Sequence, residues 1–370
     1  MGSFRFNDKK RQVAALNDNL RDNHNHSKVE FSKFFKMKKT LTLSTFVLFL
    51  GTMAFAQQEP MFTKYMFNSL VFNPAYAGSK EYLSVAALYR AQWVEIDGAP
   101  VTSTITAHTP LRNERVGVGF SLVNDKIGPT RTTGLNLSYA YRIPMGKKFK
   151  LSIGLQGGIE NFSADWSKLN PEDQQDDVFA ENVNLIKPNF GMGLFFYGEK
   201  FYAGFSSPHL YEYDLSKNSN NELYARKVRH FFFTTGAAIP IQGDALVFKP
   251  SILIKNVGAD KQFSKLEPFQ NIGAPNEFDV DLSLLFQQTL WVGASFRSAF
   301  SVKPLDSNPH SSVESGDVWV SYLLKNGLRI GAAYDYPLTD LNKVTSGAFE
   351  LMVGYEFNFR ENKVITPRYF

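Results

Sequence analysis

Apolar and polar side chains alternate with a period of two through most of the chain after residue 81. In residues 82–93, for example, Leu83, Val85 and Ala87 face one side, whereas Ser84 and Arg90 face the other. Period-two alternation is typical of a β-strand with one apolar face, and a tilted strand of about 9–11 residues crosses a bilayer. The pattern therefore predicts strands that span a membrane.

Fourteen segments are predicted to be strands, and most show this alternation, although 228–239 is aromatic on both faces. They are 82–93, 101–108, 116–123, 133–143, 149–159, 189–197, 201–206, 228–239, 246–255, 277–286, 290–297, 317–324, 328–336 and 349–359. An even strand number is typical of outer-membrane barrels. A single-layer sheet has no second sheet to cover its apolar face, but a closed barrel pairs every backbone group and places that face in hydrocarbon. The sequence therefore predicts an all-β fold, a transmembrane antiparallel β-barrel of about fourteen strands.

The links between the predicted strands alternate in length. Most links after even-numbered strands are tight, whereas four links after odd-numbered strands are long, namely 163–187, 207–226, 256–275 and 298–315. This alternation predicts short periplasmic turns and long extracellular loops. The opposite strand face predicts a polar lumen of mixed charge, lined by Arg90, Lys150, Gln156, Lys249, Asp279, Asp281, Arg297, Arg329, Asp335 and Glu350.

Residues 37–56 are predicted to be a signal peptide. Met37-Lys38-Lys39 begins a basic region, an apolar run follows, and Ala54-Phe55-Ala56 is a small-residue cleavage site. Cleavage is therefore expected between Ala56 and Gln57. The alternative is a membrane anchor, but the apolar run is shorter than the roughly 20 residues of a spanning helix. The polar residues 1–36 are interpreted as a mis-called N-terminal extension. The chain is therefore expected to reach the outer membrane after Sec-type export.

Net charge does not indicate a nucleic-acid partner. Of 40 basic and 35 acidic residues, ten and four lie in residues 1–56, which leaves 30 and 31 in the mature chain. A near-neutral chain lacks the basic surface of nucleic-acid-binding proteins. The sequence also contains no cysteine, so no disulfide is expected.

Catalytic and metal-binding patterns are weak. The mature chain has four histidines, and none is paired with another at metal-ligand spacing. Ser207 and His209 lie close together in a barrel that could be a lipid hydrolase, but no G-x-S-x-G motif surrounds them. We therefore predict neither an enzyme nor a cofactor.

Residues 57–79 carry many apolar side chains directly before the first strand, and two turn dipeptides interrupt them. Such a segment is expected to pack against something larger. It contains Asn73-Pro74-Ala75-Tyr76-Ala77-Gly78, and further motifs follow in order as Gln92-Trp93, Pro208-His209 and Arg368-Tyr369-Phe370. This series resembles the PorP/SprF family of the type IX secretion and gliding machinery. Phe349-Glu350 departs from it, since the family tends to have His-Glu there.

The resemblance implies a non-enzymatic outer-membrane protein. Its implied partners are the C-terminal domain of a secreted adhesin, which it would help to export or anchor, and periplasmic ring components of the secretion system. The predicted organisation is a periplasmic N-terminal segment (57–81), a barrel (82–360) and a C-terminal tail (361–370). The alternative is a channel or hydrophobic-solute transporter in which residues 57–79 form a plug.

Overall fold

The computed structural model describes residues 62, 64–80, 82–111, 114–168, 182–214, 226–257, 276–300 and 312–357. Its strands in chain order are β1 (Leu83–Ala91), β2 (Val101–Pro110), β3 (Val116–Ile127), β4 (Thr130–Met145), β5 (Phe149–Ala164), β6 (Val183–Gly198), β7 (Phe201–Ser207), β8 (Tyr213–Asp214), β9 (Arg226–Lys227), β10 (His230–Ala237), β11 (Ile239–Pro240), β12 (Leu246–Val257), β13 (Asn276–Phe286), β14 (Leu290–Phe300), β15 (Ser312–Leu323), β16 (Leu328–Pro337) and β17 (Ala348–Phe357).

Fourteen of these strands form a closed antiparallel barrel, which confirms the predicted fold. Chain neighbours pair with one another, β7 pairs with β10, β10 pairs with β12, and β1 closes the wall against β17 with Leu83 opposite Phe357. The short strand β11 continues β10 along β12, while β8 and β9 form a separate two-stranded hairpin. Closure leaves no unpaired sheet edge in the membrane.

The two ends of the barrel differ. At one end, here called the turn end, β4 and β5 are joined by residues 146–148 and β6 and β7 by residues 199–200. The opposite end, here called the loop end, carries the long links 165–182, 208–229, 258–275 and 301–311. Much of each long link lies outside the described residues. The alternation of links therefore agrees with the sequence prediction.

The strand faces match a barrel in lipid. Outward side chains in the middle of the strands are apolar and exposed, such as Leu137 at 60% and Leu155 at 59%. Their inward neighbours are small or polar and buried, such as Ser152 and Asn136. Hydrocarbon is the solvent in which such an apolar outer band is stable. Among the described residues, no helix is long and apolar enough to cross a membrane.

Residues 62 and 64–80 fill part of the lumen and are here called the plug. The plug consists of three short helical turns, Tyr65–Phe67, Ser69–Phe72 and Pro74–Tyr76. Asn73 caps the third turn, because its side-chain oxygen accepts a hydrogen bond from the Ala75 backbone N–H and Pro74 follows at the first helical position. The described part of the segment that was predicted to be periplasmic thus lies inside the lumen, enclosed by the barrel wall.

The plug fits closely against the wall because three inward positions are glycine. A Cβ atom at Gly154 would collide with the backbone of Pro74 and Ala75, and one at Gly117 would collide with the backbone of Ala77. At Gly193 it would meet the side chain of Asn73. Glycine permits this approach because it has no side chain. The wall is therefore shaped to hold this particular segment.

Candidate functional site

A buried lysine holds the N-terminal half of the plug in the middle of the lumen. Lys64 is fully buried, and its Nζ atom lies 3.2 Å from Asp281 Oδ2 and 2.5 Å from Asp317 Oδ1. It also donates a hydrogen bond to the Ser295 hydroxyl, and the Lys64 backbone N–H donates to Glu350 Oε1 at 3.0 Å. Two buried carboxylates around one ammonium group satisfy charges that would otherwise be costly inside a protein.

A second layer of ion pairs lies nearer the loop end. Arg297 Nη2 donates to the Phe62 backbone carbonyl at 3.1 Å and to Asp279 Oδ2 at 2.8 Å. Arg90 pairs with Asp335 at 2.9 Å and lies 3.6 Å from Glu350. All these groups are buried, as the predicted polar lumen requires. This layer attaches the beginning of the plug to the wall strands β13 and β14.

Hydrogen bonds continue along the rest of the plug. Tyr65 donates its hydroxyl hydrogen to Ser251 Oγ at 2.8 Å, and burial raises the pKa of the Tyr65 phenol well above its ordinary value. Asn68 Nδ2 donates to Thr104 Oγ1 and Asn73 Nδ2 donates to the carbonyl of Leu194, both at 3.0 Å. The polar atoms therefore tie the plug to opposite sides of the barrel.

Aromatic rings fill the space between these polar contacts. Phe67 meets Trp291 and Trp319 edge to face, with ring centroids 5.1 and 5.4 Å apart. Phe72 packs against Phe232 at 5.2 Å. The Trp319 indole N–H also donates to Asp281 Oδ2 at 2.8 Å, so the aromatic cluster and the Lys64 ion pairs share one carboxylate. Edge-to-face pairs add to the stability from apolar burial.

The motif Asn73–Gly78 anchors the C-terminal half of the plug near the turn end. Tyr76 packs between His108 and Phe195, with centroids 5.2 and 5.4 Å away. The Gly78 backbone N–H donates to His108 Nδ1 at 3.1 Å, and the Gly78 carbonyl accepts a hydrogen bond from Arg142. Gly78 has a φ of +67°, a conformation that disfavours side chains. The motif residues therefore pack together against the lumen side of the barrel wall.

The other predicted site residues lie at the loop end. Gln92 is buried and its backbone N–H donates to the Pro100 carbonyl at 2.9 Å. Trp93 follows with a φ of 50° in the β1–β2 link. The Pro208 carbonyl accepts a hydrogen bond from Gln156 Nε2 at 2.9 Å. Gln92, Trp93 and Pro208 therefore lie at the loop end, whereas the Asn73–Gly78 motif lies near the turn end. Ala56, Gln57, Arg368, Tyr369 and Phe370 lie outside the described residues.

Ser207 and His209 do not form a nucleophile and base. The Ser207 hydroxyl donates to the His209 backbone carbonyl at 3.3 Å, while His209 Nδ1 lies 2.9 Å from Asn189 Oδ1 and 3.8 Å from Glu160 Oε2. A hydrolase would require the serine hydroxyl to contact the imidazole. Within the described ranges, acidic and histidine side chains also form no cluster that could hold a metal ion.

Sequence reasoning missed an ion pair over the loop-end mouth. Glu160 Oε2 lies 2.6 Å from Lys227 Nζ, and Glu160 Oε1 accepts a hydrogen bond from the Tyr213 hydroxyl at 2.5 Å. Tyr213 belongs to β8 and Lys227 to β9, so the pair fastens this hairpin to the wall strand β5. No sequence signal marks the contact, because its members are 53 and 67 residues apart.

A cavity of about 670 Å³ separates the plug from the turn end. It is bounded by plug residues that include Phe67 and Tyr76. The wall contributes strand residues near the turn end, including Trp291 and Arg329. It extends to the turns that contain Gln288 and Lys325. The plug therefore fills the middle of the lumen and leaves a chamber between itself and the turn end. This volume is within the usual range of small-ligand sites.

Several solved structures are similar to most of this chain. The CymD monoaromatic hydrocarbon channel is 11% identical with a TM-score of 0.48, over 85% of this chain and 96% of that chain. A Pseudomonas aeruginosa FadL homologue is 12% identical with a TM-score of 0.40, over 82% and 96%. The Acinetobacter baumannii outer membrane protein Omp33 is 13% identical with a TM-score of 0.37, over 76% and 100%.

Comparison with curated proteins gives no match. The sequence does match a family profile described as type IX secretion system membrane protein PorP/SprF, over residues 54–355. The matched range begins before the plug and runs through the barrel into β17. This confirms the resemblance seen in the ordered motifs. The chain, a closed β-barrel with a segment packed in its lumen, belongs to the PorP/SprF family of type IX secretion system membrane proteins.

Proposed function

We propose that this protein is a non-enzymatic outer-membrane component of the type IX secretion system that binds the C-terminal domain of a secreted adhesin at its loop end. The binding would support export of the adhesin or hold it at the cell surface. The observation that carries this proposal is the plug, which crosses the lumen and is fixed by Lys64, Asn73 and Gly78. A lumen occupied in this way favours a docking scaffold over a passage for polypeptides.

The loop end supplies the surface for such docking. Four long links leave the wall there, and loops on a rigid scaffold commonly carry binding functions. The β8–β9 hairpin is fastened by Glu160, so part of this surface is preformed. Components of the periplasmic ring would meet the opposite, turn end. Cargo and machinery would thus bind to different ends of one barrel.

Co-purification tests the proposal. Tagged barrel is expected to retain the C-terminal domain of the cognate adhesin from detergent extracts. Replacing residues 258–275 or 301–311 by a short Gly-Ser link is expected to reduce this retention. The control is a Gly-Ser insertion into turn 146–148, which should leave retention unchanged because it lies at the other end. Full retention after both loop replacements would contradict loop-end docking.

Export through a cleaved leader is part of the same proposal. The basic region at Met37, the apolar run and the small residues at Ala54 and Ala56 support cleavage before Gln57. N-terminal sequencing of protein from outer-membrane fractions is expected to begin at Gln57. A mature chain that begins at Met1 or Met37 would contradict it.

The second candidate is a channel or hydrophobic-solute transporter that the plug closes. The cavity of about 670 Å³ below the plug favours it, because displacement of the plug would join that space to the rest of the lumen. In planar bilayers, the intact barrel is expected to be nearly non-conducting, and deletion of residues 57–79 should raise its conductance. Equal conductance with and without the segment would exclude the plug from such a role.

A further inference from the structure

The chamber between the plug and the turn end, here called the turn-end cavity, has a charge imbalance. Four basic residues line it, Lys80, Lys249, Lys325 and Arg329, against one acidic residue, Glu356. Around Lys64, in the middle of the lumen, the cation is instead paired with Asp281 and Asp317. The turn-end cavity therefore has an excess of basic residues.

The single carboxylate of the turn-end cavity is shared by several partners. Glu356 accepts a hydrogen bond from the Tyr82 hydroxyl at 2.7 Å, and its Oε1 atom lies 3.3 Å from Lys80 Nζ and 3.4 Å from Arg329 Nη2. The Lys80, Arg329 and Glu356 side chains are each 18 to 20% exposed. One carboxylate between two cations leaves the group with a net positive charge that a second anion would complement.

Aromatic rings form the apolar side of the same cavity. Lys249 Nζ lies 3.3 Å from the centroid of Trp291, and Arg329 Cζ lies 6.0 Å from Trp291 and 5.9 Å from Phe67. Cations beside aromatic faces are a recurring arrangement in ligand sites, because the rings stabilise positive charge without neutralising it. A ligand here would meet fixed cations and a ring surface together.

We propose that the turn-end cavity binds a small organic carboxylate with an apolar body. The carboxylate would lie beside Arg329 and Lys80, and the apolar body would pack on Trp291 and Phe67. The volume of about 670 Å³ is within the usual range of sites that enclose such molecules. The apolar body could be an aromatic ring or a fatty-acid chain. This site rests on the cavity alone and is independent of cargo docking at the loop end.

Titration calorimetry of the full-length barrel in lipid nanodiscs tests the proposal, with empty nanodiscs as the blank. The probes are 2-naphthoate and dodecanoate, each paired with an ammonium compound of the same apolar body. At least one carboxylate is expected to bind saturably and at least tenfold more tightly than its ammonium counterpart. The carboxylate that binds more tightly identifies the ring or the chain as the preferred body. Equal affinity within both pairs would overturn the proposal, because it would indicate apolar partitioning alone.

Three substitutions refine the test, each checked for folding by heat-modifiable migration in gels. Arg329→Gln is expected to weaken carboxylate binding about tenfold, as expected when a charge-assisted hydrogen bond is lost. Glu356→Gln is expected to tighten binding several-fold, because it frees Lys80 and Arg329 for the ligand. Lys147→Gln, at an exposed turn-end position outside the cavity, is expected to have no effect. Unchanged affinity in both Arg329→Gln and Glu356→Gln would overturn the assignment.

Discussion

At the residue scale, Lys64 fixes the position of the plug through its contacts with the wall. Its ammonium group has two buried carboxylates and a hydroxyl around it, and all come from different wall strands. Removal of such a cation leaves the acids uncompensated in a low-dielectric interior. The lysine therefore couples plug placement to barrel stability.

Lys64→Met is expected to lower the free energy of unfolding by about 3–5 kcal/mol, because Asp281 and Asp317 stay buried without their partner. Guanidinium titration of the barrel in micelles, followed by tryptophan fluorescence, measures this change. Lys343→Met is the matched control. Its pair with Asp340 is more than 70% exposed, so a loss below about 1 kcal/mol is expected. Equal losses would show that the buried pairs contribute no more than a surface pair.

Gly154→Ala is expected to destabilise the barrel by about 1–3 kcal/mol through overpacking, because the added methyl group collides with the backbone of Ala75. Gly157 lies in the same strand, and a Cβ atom there meets nothing within 4 Å. Gly157→Ala should therefore change the unfolding free energy by less than about 1 kcal/mol. The same titration compares the two variants. A larger loss in Gly157→Ala would contradict the close fit of plug and wall.

At the element scale, each wall strand presents one face to lipid and one to the lumen. In β5, Leu155 is 59% exposed on the outer face, whereas its neighbour Gln156 is buried. The Tyr82 hydroxyl donates a hydrogen bond to Glu356 in the lumen. It precedes β1 and shares the parity of Ser84 and Arg90, so the strand alternation itself directs this side chain into the lumen.

Leu155→Arg is expected to destabilise the barrel by about 2–4 kcal/mol in phospholipid vesicles, because the charge lies near the middle of the bilayer. Met145→Arg is the control, since this exposed residue ends β4 next to the turn, where the cost falls to about 0–1 kcal/mol. Reversible unfolding from vesicles measures both. If the two substitutions cost the same, the outer face of β5 would not lie in hydrocarbon as described.

At the scale of the whole molecule, the barrel has two unlike ends and a divided lumen. The loop end carries the long links and the Glu160 hairpin contact, and the turn end opens below the plug. These differences matter for function only if the ends face different compartments. Orientation in the membrane is therefore the property that joins the fold to a secretion role.

Single cysteines can report this orientation, because the chain has none of its own. Asp340→Cys lies in the β16–β17 link at the loop end, and Lys147→Cys lies in turn 146–148 at the turn end; both positions are exposed. On intact cells, a membrane-impermeant maleimide is expected to label Asp340→Cys alone. After outer-membrane permeabilisation both should react. If Lys147→Cys is labelled first, the turn end faces the cell exterior and the proposed orientation is wrong.

The sequence by itself determined the wall. All fourteen segments identified by alternation are strands, and the short and long links fall at the predicted ends, with 109–115 and 124–130 as the exceptions in length. The physical reason is local: lipid outside and a polar lumen inside impose a period of two on every strand. The apolar content of residues 57–79 likewise indicated a packed segment.

Only the tertiary structure decided where that segment lies and what it contacts. Lys64 reaches Asp281 across 217 positions in sequence, and Gly78 meets His108 and Arg142 on separate strands. The turn-end cavity likewise arises from residues of the plug and of distant strand ends. No periodicity encodes these contacts, because they depend on closure of the barrel and on which side chains closure brings together.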